Sequence, residues 1–471
     1  MDTIWRPEIL EGQGPKYKAV ATAIRNGIDA GQLTIGDKLP PVRELAWQMG
    51  ITPGTVARAY TILTDEGTLQ AEVGRGTFVA GTSGVKPIYK DPLIEEDAAI
   101  HNAESQGYEV NLVSPHLPSV GQARLIRQLL AEVAQDPPSG MMHYPNHRNQ
   151  EPAREAAAQW VSSFTPGSVR ADQIVLAHGG QNAILTIMQT VLRGRRPVIL
   201  VEELSYPGFR RAAEIMRADV VPVPMDKDGV LPEALEAAIR THDAQMFCTS
   251  PEVHNPTCGF TPLSRRQEIA AVAQRYNVQI LDDDCYRLGP PKAPGYRQLA
   301  PEISWHVSSI SKSVTPALRL GIAVAPERQV AHLRRISENA FFGLATPMAD
   351  LFAKLLIDPR LPQLIEQTKR DIGRYVQCAV NGLGGYNIAW REDVSFLFLH
   401  LPDGWRAGAF AQAAQEQGVR LRPAEEYACR ESRAPHAVRF AINAGVSLKS
   451  FEAAVLRLRD LLDNPPAQIG V

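Results

Sequence analysis

Seven short runs rich in apolar and β-branched residues recur between helical stretches: 174–177, 197–201, 220–223, 246–249, 278–281, 305–308 and 321–324. Strands that are apolar on both sides must be covered on both faces, and helical connections between them supply the cover. The pattern predicts an α/β fold with a mostly parallel seven-stranded sheet over residues 111–350. Helices and shorter strands over 351–465 predict a smaller C-terminal α+β subdomain. A chain of 471 residues has room for that unit and at least one further domain.

In sheets of this kind ligands bind beyond the carboxyl ends of the strands, so the residues just after each run carry the chemistry. After the run ending at Ser308 comes Ser309-Ile-Ser311-Lys312, with Arg319 seven residues further on and Gly321 close behind. A lysine amine suited to Schiff-base formation, beside hydroxyls and a guanidinium suited to a phosphate, points to pyridoxal phosphate (PLP). Asp282-Asp283-Asp284 follows another run. A carboxylate there, chosen as Asp283 because it stands three residues before Tyr286, would keep a pyridine nitrogen protonated. Asn255, in His254-Asn255-Pro256-Thr257, and Tyr286 can donate to the ring's phenolate oxygen. Tyr206 can stack on its face, and the turn at Gly179-Gly180-Gln181 aims backbone N–H groups at a phosphate. Arg439 suits a substrate or effector carboxylate. Tyr144 precedes the strands and is expected from a partner subunit. Each of these alone reads as a packed aromatic, a surface arginine or a solvated loop; their order at the ends of successive strands is what selects the cofactor reading.

The N-terminal segment differs. Tyr17, Val20, Ile24 and Ile28 fall on one face of a helix that ends near Gly31. A short amphipathic helix, a turn at Gly50 and a second helix opening at Pro53 then describe a helix-turn-helix. Leu69 to Val79 alternates around Gly74-Arg75-Gly76, as a β-hairpin wing would. A winged helix-turn-helix over 13–81 places Thr52 and Thr55 at the opening of a major-groove helix, Arg58 one turn on, Arg43 at the head of the preceding helix and Arg75 at the wing tip. Residues 82–110, rich in Gly, Pro and acidic groups, read as a linker.

A net charge of −2 argues against a broadly basic nucleic-acid-coating surface but leaves room for a small DNA-reading head. The five cysteines show no paired or metal-ligand spacing, so they read as reduced thiols, and no metal is expected. With no signal-peptide pattern and no apolar run of membrane length, a cytoplasmic location is expected.

The stretches Leu39-Pro-Pro-Val-Arg43-Glu-Leu-Ala, Ile51 to Leu63 and Gly67 to Val79 closely resemble the head of GntR-type bacterial regulators, except that Pro53 stands where a basic residue is frequent. Residues 120–460 resemble a fold-type I aminotransferase, and the combination resembles MocR-type regulators. The resemblance implies that Lys312 is the Schiff-base lysine, Asp283 the pyridine partner, Asn255 and Tyr286 the phenolate partners and Tyr206 the stacking residue. It further implies Gly180, Gln181, Ser309, Ser311 and Arg319 as the phosphate cup and Arg439 as the carboxylate clamp. The implied protein is a PLP-dependent, DNA-binding transcriptional regulator. It would work as a homodimer and sense an amino compound by forming an external aldimine at Lys312. The alternative is an active aminotransferase with an autoregulatory head. Cys258, in place of a glycine, and His178, in place of a small hydroxyl residue, are expected to disturb the substrate side of the site.

Overall fold

A computed structural model describes residues 5, 15–66, 68–72, 76–80, 110–135, 140, 142–164, 169–430 and 432–465. The chain divides between residues 93 and 94 into two compact units, taken separately below.

The N-terminal unit contains α1 (Lys16–Asp29), α2 (Val42–Gln48), α3 (Pro53–Asp65) and the antiparallel hairpin of β1 (Leu69–Glu72) and β2 (Gly76–Val79). Thr52 in extended conformation is the N-cap of α3, and Pro53, whose missing N–H costs nothing in a first turn, opens it. Gly50 takes φ +60° in the turn between α2 and α3, where a side chain would be strained. Val20, Ile24, Leu45, Val56, Ala59 and Leu63 close one core, to which Tyr60 adds its ring while its hydroxyl donates to Pro40 O at 2.8 Å. Trp5 joins that core, its indole covering Gly27. The expected wing residues Gly74 and Arg75 lie outside the described residues, as does residues 82–109 of the expected linker.

The second unit begins with β3 (Val110–Asn111), α4 (Gln122–Gln135) and α5 (Glu151–Phe164). It continues through β4 (Ile174–Ala177), α6 (Gly180–Val191), β5 (Val198–Glu202), α7 (Pro207–Ile215), β6 (Asp219–Val223), β7 (Met225–Asp226), β8 (Gly229–Val230), α8 (Pro232–His242), β9 (Met246–Thr249), α9 (Leu263–Tyr276), β10 (Gln279–Asp283), α10 (Tyr296–Leu299), β11 (Ser304–Ser309) and β12 (Gly321–Val324). Seven of these strands form one sheet in the order β4-β12-β11-β10-β9-β5-β6, in which only β12 runs antiparallel to its neighbours. This is the mostly parallel seven-stranded sheet that the apolar runs predict, and its central strands are buried throughout because helices cover both faces.

The chain then passes through α11 (Val330–Phe341), α12 (Thr346–Ile357) and α13 (Leu361–Gly382) to β13 (Ile388–Ala389), β14 (Phe396–His400), α14 (Ala407–Glu416), β15 (Val419–Arg420), β16 (Arg422–Pro423), β17 (Ala437–Ala441) and α15 (Leu448–Asp463). A four-stranded sheet, β13-β14-β17-β16, packs with α13, α14 and α15 around a separate core that includes Phe410, Phe440 and Phe451. Residues 110–112 belong to this C-terminal layer: β3 pairs with β15, and Val110 and Leu112 are buried among its apolar side chains. Two apolar residues ahead of the large sheet thus fasten the start of the unit to its far end. Among the described residues no helix is long and apolar enough to cross a membrane.

Candidate cofactor and DNA sites

At the carboxyl edge of the large sheet lies a cavity of about 250 Å³. Its wall includes Lys312, Asp283, Tyr286, Asn255, Tyr206, Gly180, Gln181, Ser309, Ser311, Arg319 and Arg439, so eleven residues picked from separate stretches of sequence meet at one place. Tyr144 does not line it; this side chain is 80 % exposed and stacks on Phe342 with ring centroids 5.7 Å apart.

Local geometry explains how each group arrives. β11 ends at Ser309, whose hydroxyl accepts from Ser311 N (3.1 Å) and donates to Leu320 O (2.9 Å), tying down the 3-10 turn Ile310–Lys312 that carries the lysine. Lys312 Nζ stands 5.3 Å from the centroid of the Tyr286 ring. Arg319 follows in the left-handed region at φ +50°, strain that a non-glycine residue bears only where the surroundings impose it. That conformation lays its guanidinium against Gly179, where an added Cβ would sit 2.7 Å from Arg319 Nη2. The first turn of α6 opens at the next residue, so free backbone N–H groups and a cation converge as an oxyanion needs.

The three aspartates separate by the twofold period of a strand. Asp282 points away from the cavity toward Tyr296 N, and Asp284 pairs with Arg287, while Asp283 faces the cavity and accepts from Cys285 N at 3.1 Å. Burial, opposed by the hydrogen bonds from Cys285, raises the Asp283 carboxyl to about 6. A carboxylate facing the cavity is suited to hold a cationic ring nitrogen. Burial likewise lifts the Tyr206 phenol above its ordinary range.

Arg439, 2 % exposed, comes from β17 and donates to Val113 O (3.2 Å) and the Tyr286 hydroxyl (3.4 Å); its guanidinium carbon also lies 4.3 Å from the Phe396 ring centroid. Among the described residues no carboxylate is paired with it.

Sequence reasoning passes over Val113, Ser114, Arg211, Arg422 and Tyr427, which also line the cavity. They lie on the start of the unit, on α7 and around β16, and nothing in their local sequence marks them. The expectation for Cys258 and His178 is not met: neither lines the cavity. Cys258 occupies φ +61°, which explains why a glycine suits the position, but its thiol is buried behind Phe396, whose carbonyl accepts from it at 3.3 Å. His178 is exposed and meets Phe341 edge-on.

The residues present fit PLP. Gln181 Oε1, Asn255 Oδ1 and Arg439 Nε are buried without hydrogen-bond partners, and glycines at 179 and 180 leave room where a Cβ would strike Arg319 and Cys285. A bound PLP would supply an aldehyde carbon that exchanges one amine for another and a ring that accepts electrons.

In the N-terminal unit, Thr52 and Thr55 lie together at the start of α3 with hydroxyl oxygens 2.9 Å apart. Arg43 is exposed on α2, and Gly76 opens β2 beside the Lys38 side chain. Arg58 is exposed too, and its guanidinium lies over the Tyr17 ring of α1 at 4.3 Å.

Comparison with known proteins gives a match for each of the two units. Residues 118–458 match the family described as aminotransferase class I and II, and residues 16–79 match the bacterial regulatory proteins of the gntR family. An uncharacterized HTH-type transcriptional regulator, YdeF, of Bacillus subtilis (strain 168) is 28% identical over 98% of this chain and 97% of its own length. The vitamin B6 salvage pathway transcriptional repressor PtsJ of Salmonella typhimurium is 27% identical over 87% of this chain and 94% of its own. The fold matches that of an archaeal alanine:glyoxylate aminotransferase with a TM-score of 0.69 at 18% identity, over 76% of this chain and 92% of that one. The chain belongs to the PLP-dependent aminotransferase class I and II family and carries a gntR-type helix-turn-helix at its N-terminal end, the arrangement of MocR-type regulators.

Proposed function

We propose that this protein is a transcriptional regulator that binds operator DNA through its N-terminal unit and senses a small amino compound in the PLP site. The observation that carries the reading is the joining, in one chain, of a gntR-type head to a cavity that keeps its lysine, its pyridine-facing aspartate and its anion-binding groups. With PLP bound, Lys312 would hold it and be the group an effector amine replaces. Asp283 would keep the ring nitrogen protonated, Tyr206 would pack on the ring, and Asn255 and Tyr286 would donate to the ring oxygen. Ser309, Ser311, Arg319, Gly180 and Gln181 hold the phosphate, and Arg439 receives an anionic group of the effector. Freeing Lys312 would alter charge between the large sheet and the C-terminal layer, and the unequal affinity of the effector for two arrangements would be what moves the DNA heads. Thr52, Thr55, Arg43, Arg58 and the wing around Gly74, Arg75 and Gly76 contact the duplex. The working form is a cytoplasmic homodimer.

The competing reading is an aminotransferase with an autoregulatory head, favoured by the fact that Cys258 and His178 stay clear of the cavity and leave its substrate side unobstructed. One experiment separates the two. Amino compounds are titrated into the cofactor-loaded full chain, and the visible spectrum, operator affinity and keto product in the presence of an α-keto acid are followed together. A compound that shifts the spectrum and operator affinity with little turnover is expected. Turnover in the ordinary enzyme range of about 1–1000 per second, without change in operator affinity, would replace the regulator with the enzyme.

A further inference from the structure

The wall of the cavity carries five cationic side chains, Arg211, Lys312, Arg319, Arg422 and Arg439, against one carboxylate, Asp283. Lys312 and Arg319 are the two that would hold the cofactor, at its aldehyde and its phosphate. The other three come from other elements, Arg211 from α7 and Arg422 and Arg439 from the C-terminal sheet. Arg422 and Arg439 stand directly across from each other on the antiparallel pair β16–β17, which puts both side chains on one face. Both donate to a single acceptor, Val113 O, through Arg422 Nε at 3.3 Å and Arg439 Nη1 at 3.2 Å. Arg439, nearly buried, with an unpartnered Nε and no carboxylate paired with it among the described residues, is short of negative charge, and it shares its carbonyl acceptor with Arg422.

The third arginine comes from α7. Arg210 donates to the backbone carbonyl of Glu426, and the Glu426 carboxylate pairs with Arg422, so α7 and β16 meet at Glu426. Arg211 lies beside that junction, lines the cavity and has no ion pair among the described residues. A single effector carboxylate on Arg439 leaves Arg211 unmatched, and Arg422 is matched only by a half-exposed glutamate at the rim.

Resting on the sensor reading, we infer that the effector is an amino acid with two anionic groups, one held by Arg439 and the second by Arg211 together with Arg422. On binding, the second anion shares or takes over Arg422 from Glu426.

The test uses the cofactor-loaded full chain and size-matched pairs: aspartate with 2-aminobutyrate, glutamate with norvaline, and 2-aminoadipate with norleucine. Affinity is read by calorimetry and by the cofactor's visible spectrum. In at least one pair the dianionic member should bind about tenfold tighter or more. Arg211→Gln and Arg422→Gln should each shrink that ratio, with Arg211→Lys retaining part of it. Glu426→Gln, which frees Arg422, should raise the ratio, a gain that misfolding does not imitate. Equal affinity within every pair, or a ratio unchanged in both glutamine variants, overturns the inference while a spectral response to the monocarboxylates leaves the sensor reading standing. Silence of the spectrum to every amino compound tried overturns the sensor reading and this inference with it.

Discussion

Lys312 is held at the end of β11 by a turn whose hydrogen bonds run through Ser309 and Leu320, so the lysine side chain takes no part in keeping its own backbone in place. Lys312→Ala should therefore leave thermal stability close to that of the parent and abolish borohydride-trapped attachment of PLP, with weaker non-covalent binding remaining. Trapping at another lysine would refute the assignment. Asp283 gives a pH signature in the cofactor-free protein. Its folded-state pKa, raised by burial to about 6, stands above the ordinary 3.8 of an aspartate. The stability tied to its proton is thus fully present below 3.8 and is lost as the pH rises through about 6. Asp282, raised to about 7 by burial and Asp284, adds a loss in the same direction, so the parent alone does not isolate Asp283. Asp283→Asn should gain on the parent in denaturant midpoint as pH rises from about 4 to about 7, and should bind PLP more weakly at every pH. A difference that stays flat with pH would mean that the carboxyl is not the buried acid described.

At the scale of elements, the anion-binding turn depends on how closely β4 and β12 approach each other. A Cβ on Gly321 would stand 2.5 Å from the backbone carbon of Gly179, and backbone yields less readily than the end of a side chain. Gly321→Ala should cost about 1–3 kcal/mol in denaturant unfolding and weaken PLP binding, because moving Gly179 also moves the first turn of α6. A variant as stable as the parent would show that the two strands have slack. Most of this architecture was legible in sequence because it is periodic or local. The apolar runs sit within a residue or two of the strands, Pro53 marks the opening of α3, and most cofactor-facing groups sit at or shortly after strand ends. What escaped is what tertiary packing alone decides. Arg211 and Arg422 are separated by some two hundred residues, Val113 reaches the cavity only because β3 pairs with β15, and Trp5 lies apart from any apolar periodicity yet covers Gly27. Cys258 misled for a related reason: a replaced glycine signals backbone conformation, φ +61°, and that says nothing of where the side chain goes. In the head, Arg43→Ala and Arg58→Ala should each weaken operator binding by about 1–3 kcal/mol if the contact is bidentate to a base, and chiefly flatten the salt dependence if it is to phosphate. Arg58→Ala should in addition lower the stability of the head slightly, through loss of the contact with Tyr17. Parent-like binding by both variants across a salt titration would move the reading helix elsewhere.

For the whole molecule the question is how two units with separate cores act together. The head closes its own core around Ile24, Leu45, Val56 and Leu63, so it has the means to fold without the remainder of the chain. One head reads one half-site, and a single winged helix makes few contacts. In the proposed homodimer the linker, expected over 82–110 but ending where β3 begins at Val110, holds two heads near each other, and the second contact forms at an effective concentration set by that linker. The exposed stack of Tyr144 on Phe342 gives a subunit interface something to cover, and Tyr144 is the residue proposed to enter the partner's cofactor site. Tyr144→Ala should accordingly weaken PLP binding although the residue lies outside its own subunit's cavity. Tethering makes a sharper demand. Residues 1–81 alone should bind a two-half-site operator about a hundredfold or more weaker than the full chain, while a single half-site should bind both about equally. Cutting the operator in half thus removes the advantage of the full chain without touching any protein residue. If the isolated head matched the full chain on the intact operator, or if light scattering found a monomer at the concentrations of the binding assay, the two heads would be acting singly and the dimeric regulator would have to be abandoned.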